Sequence, residues 1–257
     1  MFNIALLGRD IGYTRSPRIH DAIAQSVGVQ VHTDVIDVSY DMLESAVRNA
    51  VSEYDGLYVT KPYKYDIKRY IGCDAVGAIN LVRCKDRAAF NTDGVGFLRA
   101  LDRNFDGRSG KVRSALILGA GGAAYSVAAA LKSRDIKPYV LNRTLMHAVK
   151  LCAATGAELY VNQPVELAVN CTSVGADGDD VLKNLCVLPD FEYAFDLIYS
   201  DVPTPFMRRC AASGAVVQDG ADMLIYQAIE GDRILFGIEA DVESVFDIVK
   251  HKVMQRS

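Results

Sequence analysis

Two lysines flank a proline in the stretch Leu57-Tyr58-Val59-Thr60-Lys61-Pro62-Tyr63-Lys64. The run from Gly56 to Thr60 reads as a strand that stops at Pro62, because proline lacks a backbone donor and fixes φ. Ammonium groups just past a strand end serve either as solvated charges on a turn or as proton carriers beside a ligand. A second stretch with chemical potential is Gly119-Ala120-Gly121-Gly122-Ala123-Ala124, which fits G-x-G-x-x-[G/A] between an apolar strand and an alanine-rich helix. One glycine permits the tight turn, the next lets backbone approach a pyrophosphate, and the last small residue lets helix pack closely on strand. The helix N-terminus adds partial positive charge, so these residues point to dinucleotide binding.

The strand Lys137 to Asn142 ends where a NAD-binding unit carries Asp or Glu for the ribose 2′-hydroxyl, but here the residues are Asn142-Arg143-Thr144. A carboxylate would repel a 2′-phosphate, whereas a guanidinium and a hydroxyl would hold one through charge-assisted hydrogen bonds. NADP is therefore the expected cofactor, with an ordinary polar loop as the alternative reading.

The elements that must position these groups alternate. In the first part, strands at Asn3 to Gly8, Val31 to Val38 and Gly56 to Thr60 alternate with helices, one from Ser16 and one through Met42, Ala46, Val47 and Ala50. This order argues a sheet covered by helices. Ser16 reads as an N-cap, Pro17 as the first helical residue, Ile19 and Ile23 as one face, and Gly28 as the stop. The start of that helix is a potential anion site. Further strands are expected within residues 166–173, 192–200 and 214–220. Two closing helices follow, the last with Val242, Val245, Phe246, Val249 and Val253 on one face. That tail is expected to pack back across the domain junction.

The 257 residues are 50% hydrophobic and 23% charged, which suits a soluble globular chain of two ordinary domains. A net charge of −4 with interspersed signs gives no field for nucleic acid or an anionic membrane. The N-terminus reads as a strand and not as a signal peptide, and glycines interrupt the apolar stretch from Ser114 to Leu131, so a cytoplasmic location is expected. Six cysteines (Cys73, Cys84, Cys152, Cys171, Cys186, Cys210) form no C-x-x-C pair and read as reduced, mostly buried thiols. His20, His32, His147 and His251 are dispersed, so no metal is expected, and His20 reads as a helix-face residue.

Taken together the motifs resemble the shikimate dehydrogenase family. They run in order: TRSP from Thr14, VTKPYK from Val59, GAIN from Gly77, NTDG from Asn91, GAGGAA from Gly119, NRT from Asn142, NCTSVG from Asn170, DLIY from Asp196, and DGADMLIYQ from Asp219. The resemblance implies an α/β fold of two domains, an N-terminal substrate domain (residues 1–92 with 221–257) and a Rossmann-type dinucleotide-binding domain (93–220), with the active site in the cleft between them. It implies reversible NADP-dependent reduction of 3-dehydroshikimate to shikimate, with Lys64 and Asp93 as the acid/base pair. Thr14 and Ser16, with Tyr199 nearby, would hold the substrate carboxylate, and Thr60, Asn80, Asp93 and Gln227 its ring hydroxyls. Gly119, Ala120, Gly121, Gly122, Ala123, Asn142, Arg143, Thr144, Thr172 and Gly220 would bind cofactor. Taken singly, Asn80 also reads as a turn residue, Gln227 as an exposed helix position and Tyr199 as a half-buried ring.

The sequence departs from the family pattern at several places. Thr14 replaces a serine, Leu81 a threonine and Ala176 a methionine, tryptophan is absent, and Tyr58 places a phenol where the family has an asparagine amide that would touch substrate. His147 stands where NADP-using members carry a second basic residue, and a neutral imidazole pairs poorly with phosphate, which leaves NAD as an alternative cofactor. Quinate or an aminated shikimate is the alternative substrate, and a catalytically silent binding paralogue the non-enzymatic alternative. A small-molecule hydroxy acid is the expected partner, with the chain a monomer or homodimer.

Overall fold

The continuous apolar run Ile4 to Leu7 within Phe2–Gly8 (β1) makes the strand around which the first sheet is built, flanked on either side by parallel neighbours. The structure, a computed structural model, describes residues 1–73, 77–105, 111–183 and 191–254. By its internal contacts the chain falls into two units, Met1–Gly96 with Ile225–Ser257, and Phe97–Leu224.

After β1 come α1 (Ser16–Ser26), β2 (Val31–Asp37), α2 (Leu43–Glu53), β3 (Gly56–Val59), the short α3 (Lys68–Ile71), β4 (Leu81–Arg83) and β5 (Ala88–Phe90). The sheet order is β2-β1-β3-β4-β5, parallel through β2, β1 and β3 and antiparallel through β3, β4 and β5. The period of two along β3 divides its side chains. Leu57 and Val59 join Leu43, Val47 and Ala50 of α2, while Tyr58 lies among Ile4, Leu6, Ile11 and Leu81.

The expected helix at Ser16 forms, with one correction. Arg15 is the cap residue, Ser16 is the first helical residue, Pro17 the second, and no side chain caps the turn. Ser16 N–H instead donates to Thr14 Oγ1 at 3.2 Å, and the Thr14 hydroxyl donates to Ser16 Oγ at 3.1 Å. Ile19 and Ile23 are buried, and Gly28 turns the chain at φ +72. Met42 precedes α2 and is exposed, so Leu43 takes the buried position there.

The chain passes from the first unit to the second inside α4 (Asp93–Asn104). The second unit continues through β6 (Ser114–Leu118), α5 (Gly122–Ser133), β7 (Lys137–Leu141), α6 (Leu145–Thr155), β8 (Glu158–Leu159), β9 (Leu167–Asn170), β10 (Tyr193–Asp196), α7 (Pro205–Ala212) and β11 (Val216–Gln218). Its sheet order is β11-β10-β9-β6-β7-β8, parallel throughout, with the reversal of direction around β6 that marks a doubly wound fold.

α8 (Ala221–Phe236) returns the chain to the first unit, and α9 (Val242–Met254) ends it. The five residues expected on one face of α9 are all buried, whereas Ile248 is exposed. α9 packs on α1 within the first unit, where Lys252 also donates to Gln25 at 3.1 Å.

Of the six thiols Cys186 lies outside the described residues. Cys84 and Cys210 are buried, and burial pushes both up to about 12. Cys73, Cys152 and Cys171 are only partly buried, fewer enclosed thiols than the sequence suggested.

Candidate functional site

Lys64 sits on the turn after β3 between two fully buried anchors, Tyr63, whose hydroxyl donates to Val38 O at 2.6 Å, and Ile67. Its carbonyl accepts from Ile79 N at 2.8 Å, which fixes the backbone. With that backbone held, Nζ donates to Oδ2 of Asp93 at 2.6 Å. The Lys64 side chain is 17% exposed and that of Asp93 5%, so the pair is shielded yet reachable. Asp93 opens α4, where the helix N-terminus favours a carboxylate. Lys61, by contrast, places its ammonium over the ring of Tyr13, 5.4 Å from the centroid. Two neighbouring lysines thus have different surroundings.

Asn80 organises the rest. Its backbone is clamped, with its carbonyl accepting from Val59 N at 2.8 Å and its N–H donating to Phe90 O at 3.1 Å. Oδ1 accepts from Thr92 N at 2.8 Å, and because that backbone group only donates, the amide orientation is settled. Nδ2 then faces Thr92 Oγ1 at 2.9 Å, Asp93 Oδ1 at 3.0 Å and Gln227 Oε1 at 3.2 Å. Thr92 donates onward to the carbonyl of Gln227 at 2.9 Å. Lys64, Asp93, Asn80 and Gln227 therefore form one bonded cluster, and Asn80 is not a mere turn residue nor Gln227 an exposed one. Thr92 was not singled out from sequence, although it stands inside the NTDG motif.

Thr14 and Ser16 form their own hydroxyl pair at the start of α1. Thr60 follows β3, its N–H bonded to Leu7 O at 2.9 Å and its Cγ2 so near Gly8 that a Cβ there would lie 2.6 Å away. Tyr199 belongs to the second unit, on the segment after β10, and is half-buried.

Tyr58 departs from the expectation of a substrate-facing phenol. It is 3% exposed, and its hydroxyl donates to Asp232 at 2.7 Å. His20 lies on the buried face of α1, against the same carboxylate. Neither partner was visible from sequence, since Asp232 lies 212 and 174 residues away along the chain.

In the second unit Gly119 has φ +108, and a Cβ on it would lie 2.8 Å from Thr172 Cγ2, so the turn demands glycine. A Cβ on Gly121 would meet nothing within 4 Å, which leaves open space over the turn. Gly122 and Ala123 begin α5, which has no side-chain cap, and Ala124 is fully buried. Ala120 completes the turn beside Gly119, whose N–H donates to Leu141 O at 2.8 Å. That bond brings the turn beside Asn142-Arg143-Thr144, which Asn142 shapes by donating to Thr144 O at 2.9 Å. Arg143, Thr144 and His147 are exposed. Gly220 passes so close to the Leu197 carbonyl that no side chain fits there. An uncapped helix start over open space, with an exposed guanidinium at the neighbouring strand end, fits a dinucleotide carrying a 2′-phosphate.

Thr172 is held by Asn170, whose Oδ1 accepts from its N–H at 3.0 Å and from its hydroxyl at 2.7 Å. Asn170 in turn donates to Asp196 at 3.0 Å, and Thr204 donates to the same carboxylate at 2.6 Å. Burial pushes Asp196 up to about 6 despite these donors. Among the described residues no group of three or more His, Cys, Asp and Glu is placed to hold a metal ion, and no helix is long and apolar enough to cross a membrane.

A doubly wound parallel sheet with a glycine turn, on one chain with a shielded Lys–Asp pair, defines a nicotinamide-dependent dehydrogenase of the two-unit α/β type. Residues 6–82 match the family model described as the shikimate dehydrogenase substrate binding domain. The chain is 30% identical over 261 residues to the shikimate dehydrogenase (NADP(+)) of Natronomonas pharaonis, covering 95% of this chain and 97% of that one. It is 31% identical over 255 residues to the enzyme of the same name from Haloarcula marismortui, covering 93% and 94%. The chain belongs to the shikimate dehydrogenase family. In structure it is similar to shikimate 5-dehydrogenase from Thermus thermophilus, solved in complex with NADP(H) and shikimate, with a TM-score of 0.82 at 28% identity over 98% of this chain and 100% of that one.

Proposed function

We propose that this protein is a shikimate dehydrogenase that reversibly reduces 3-dehydroshikimate to shikimate with NADP. The observation that carries the reading is the 2.6 Å contact between Lys64 Nζ and Asp93 Oδ2, with Asn80 and Gln227 bonded into the same cluster. When bound, the nicotinamide supplies or accepts the hydride at the substrate carbon. Charge balance then requires a proton to move at the carbinol oxygen, and the Lys64 ammonium is the group placed to carry it. Asp93 orients that ammonium, and Asn80 fixes Asp93 in turn. Thr14 and Ser16 take the substrate carboxylate with hydroxyl donors at a helix start. Thr60, Asn80, Asp93 and Gln227 take the ring hydroxyls.

On the cofactor side Gly119 to Ala123 and Thr172 cradle the pyrophosphate end, and Asn142, Arg143 and Thr144 take the 2′-phosphate. Tyr58 is engaged by Asp232, so its phenol leaves the shikimate reading intact. The enzyme is read as cytosolic, acting on a small hydroxy acid as a monomer or homodimer, without nucleic acid or membrane partners.

Initial rates by nicotinamide absorbance, with shikimate and quinate each paired with NADP and NAD, test this assignment. Fast turnover confined to shikimate with NADP is expected. No turnover in any pairing, from folded protein that binds nucleotide, would overturn it.

A further inference from the structure

Asp232 is a carboxylate with no exposed surface, set among apolar neighbours. His20 Nδ1 lies 3.0 Å from both of its oxygens, and the Tyr58 hydroxyl donates to Oδ1 at 2.7 Å. The imidazole and phenol rings pack with centroids 4.3 Å apart, tilted by 42°. An ionised carboxylate only accepts, so Nδ1 is the protonated nitrogen of His20 whenever Asp232 is charged. Gly231 lets α8 come this near, since a Cβ on it would collide with the Tyr58 hydroxyl.

Packing alone does not call for such a group. Ile4, Leu6, Ile11 and Leu81 surround Tyr58, with Ile234 and Leu235 of α8 against them, and an apolar side chain would suit that company. Removing a carboxylate from water is costly, and directed bonds are what a buried polar cluster provides that an apolar one does not. The three elements tied together are α1, β3 and α8. Each also presents a residue of the proposed substrate site. Ser16 precedes His20 by four residues on one helix face, Thr60 follows Tyr58 by two, just past the end of β3, and Gln227 precedes Asp232 by five on α8.

We propose that Asp232, through His20 and Tyr58, is a positioning residue that sets the spacing of Ser16, Thr60 and Gln227, and thereby the affinity for a carboxylated, hydroxylated ring. The proposal rests on the functional reading above. The network acts on substrate binding more than on proton transfer, because Lys64 and Asp93 bond each other and Asn80 directly and meet α8 only through the contacts of Asn80 and Thr92 with Gln227. Loss of binding common to ground and transition states raises KM and leaves kcat in place.

The test is steady-state kinetics with shikimate and NADP for Tyr58→Phe, Asp232→Leu and Asp232→Asn, with Tm measured alongside. Asp232→Asn keeps Oδ1 as the acceptor for Tyr58, and its NH2, set where Oδ2 stood, donates to Nδ1 of the other His20 tautomer, so it is the conservative rescue. Tyr58→Phe and Asp232→Leu are expected to raise the shikimate KM about tenfold or more, the scale of a small misplacement. The kcat and the NADP KM stay within about threefold, and Asp232→Asn stays near wild type. Should Asp232→Leu fail to fold, Tyr58→Phe, which keeps ring and volume, decides. An unmoved shikimate KM with only a lowered Tm shows a purely structural cluster and overturns the proposal, as does a fall in kcat at constant KM. Absence of wild-type turnover overturns the functional reading together with this one, whereas wild-type turnover with unmoved variant KM overturns this one alone.

Discussion

Asn80 holds Asp93 by the oxygen that Lys64 does not use: Nδ2 lies 3.0 Å from Oδ1, while the ammonium lies 2.6 Å from Oδ2. The carboxylate is thereby fixed at both ends, and its one remaining freedom, rotation about χ2, is removed. Asn80→Ala deletes the partner of Thr92 N–H and of Asp93 Oδ1 in a place that is 2% exposed. Leaving such groups unsatisfied costs about 1–3 kcal/mol. Denaturant unfolding should show that loss, and kcat/KM should fall with it; unchanged values for both would contradict the role given to Asn80.

Gly119→Ala places a methyl 2.8 Å from Thr172 Cγ2 at a φ of +108. The turn must shift to accept it, and the pyrophosphate loses its fitted backbone. The NADP KM is expected to rise about tenfold or more while the shikimate KM changes little, on the scale that small displacements command. A titration of nucleotide binding in the folded variant checks it.

Arg143→Gln removes the exposed guanidinium beside the glycine turn. A hydrogen bond to a charged group contributes about 1.5–3 kcal/mol, so NADP affinity should fall roughly tenfold to a hundredfold. NAD carries no 2′-phosphate and should be almost indifferent. Equal losses for both cofactors would remove Arg143 from the 2′-phosphate site.

Asp196 gives a pH signature. Burial raises its pKa from 3.8 to about 6 in the folded protein, so between those values the native state holds a proton that the unfolded chain has released. Its contribution is full below about pH 4 and is lost as pH rises through about 6, a swing of about 3 kcal/mol at 1.36 kcal/mol per pKa unit. The stability of Asp196→Asn relative to wild type should therefore improve from pH 4 to pH 7. A flat difference across that range would contradict the raised pKa.

Much of this was legible in the chain because it is local. The glycine turn, the Asn-Arg-Thr strand end and the buried stripe of α9 each follow from residues adjacent in sequence, where period and turn chemistry act directly. β4 and β5 were not foreseen, since strands of three residues carry almost no period and owe their pairing to β3. Ser16 was misplaced by one residue because hydroxyls favour both cap and first-turn positions; the Thr14 bond decides between them. The bonds of Tyr58 and His20 were missed for a different reason: their partner, Asp232, reaches them only through the packing of α8 on β3 and α1, which no local pattern encodes.

The Lys64–Asp93 pair remains the central claim, and Lys64→Ala tests it most directly. The substitution removes a partly exposed side chain, so the fold and NADP binding should persist by thermal melt and nucleotide titration. Turnover of shikimate with NADP should fall by at least about a hundredfold, the lower bound for losing a general acid/base. A variant that binds NADP and turns over shikimate at the wild-type rate would contradict the account.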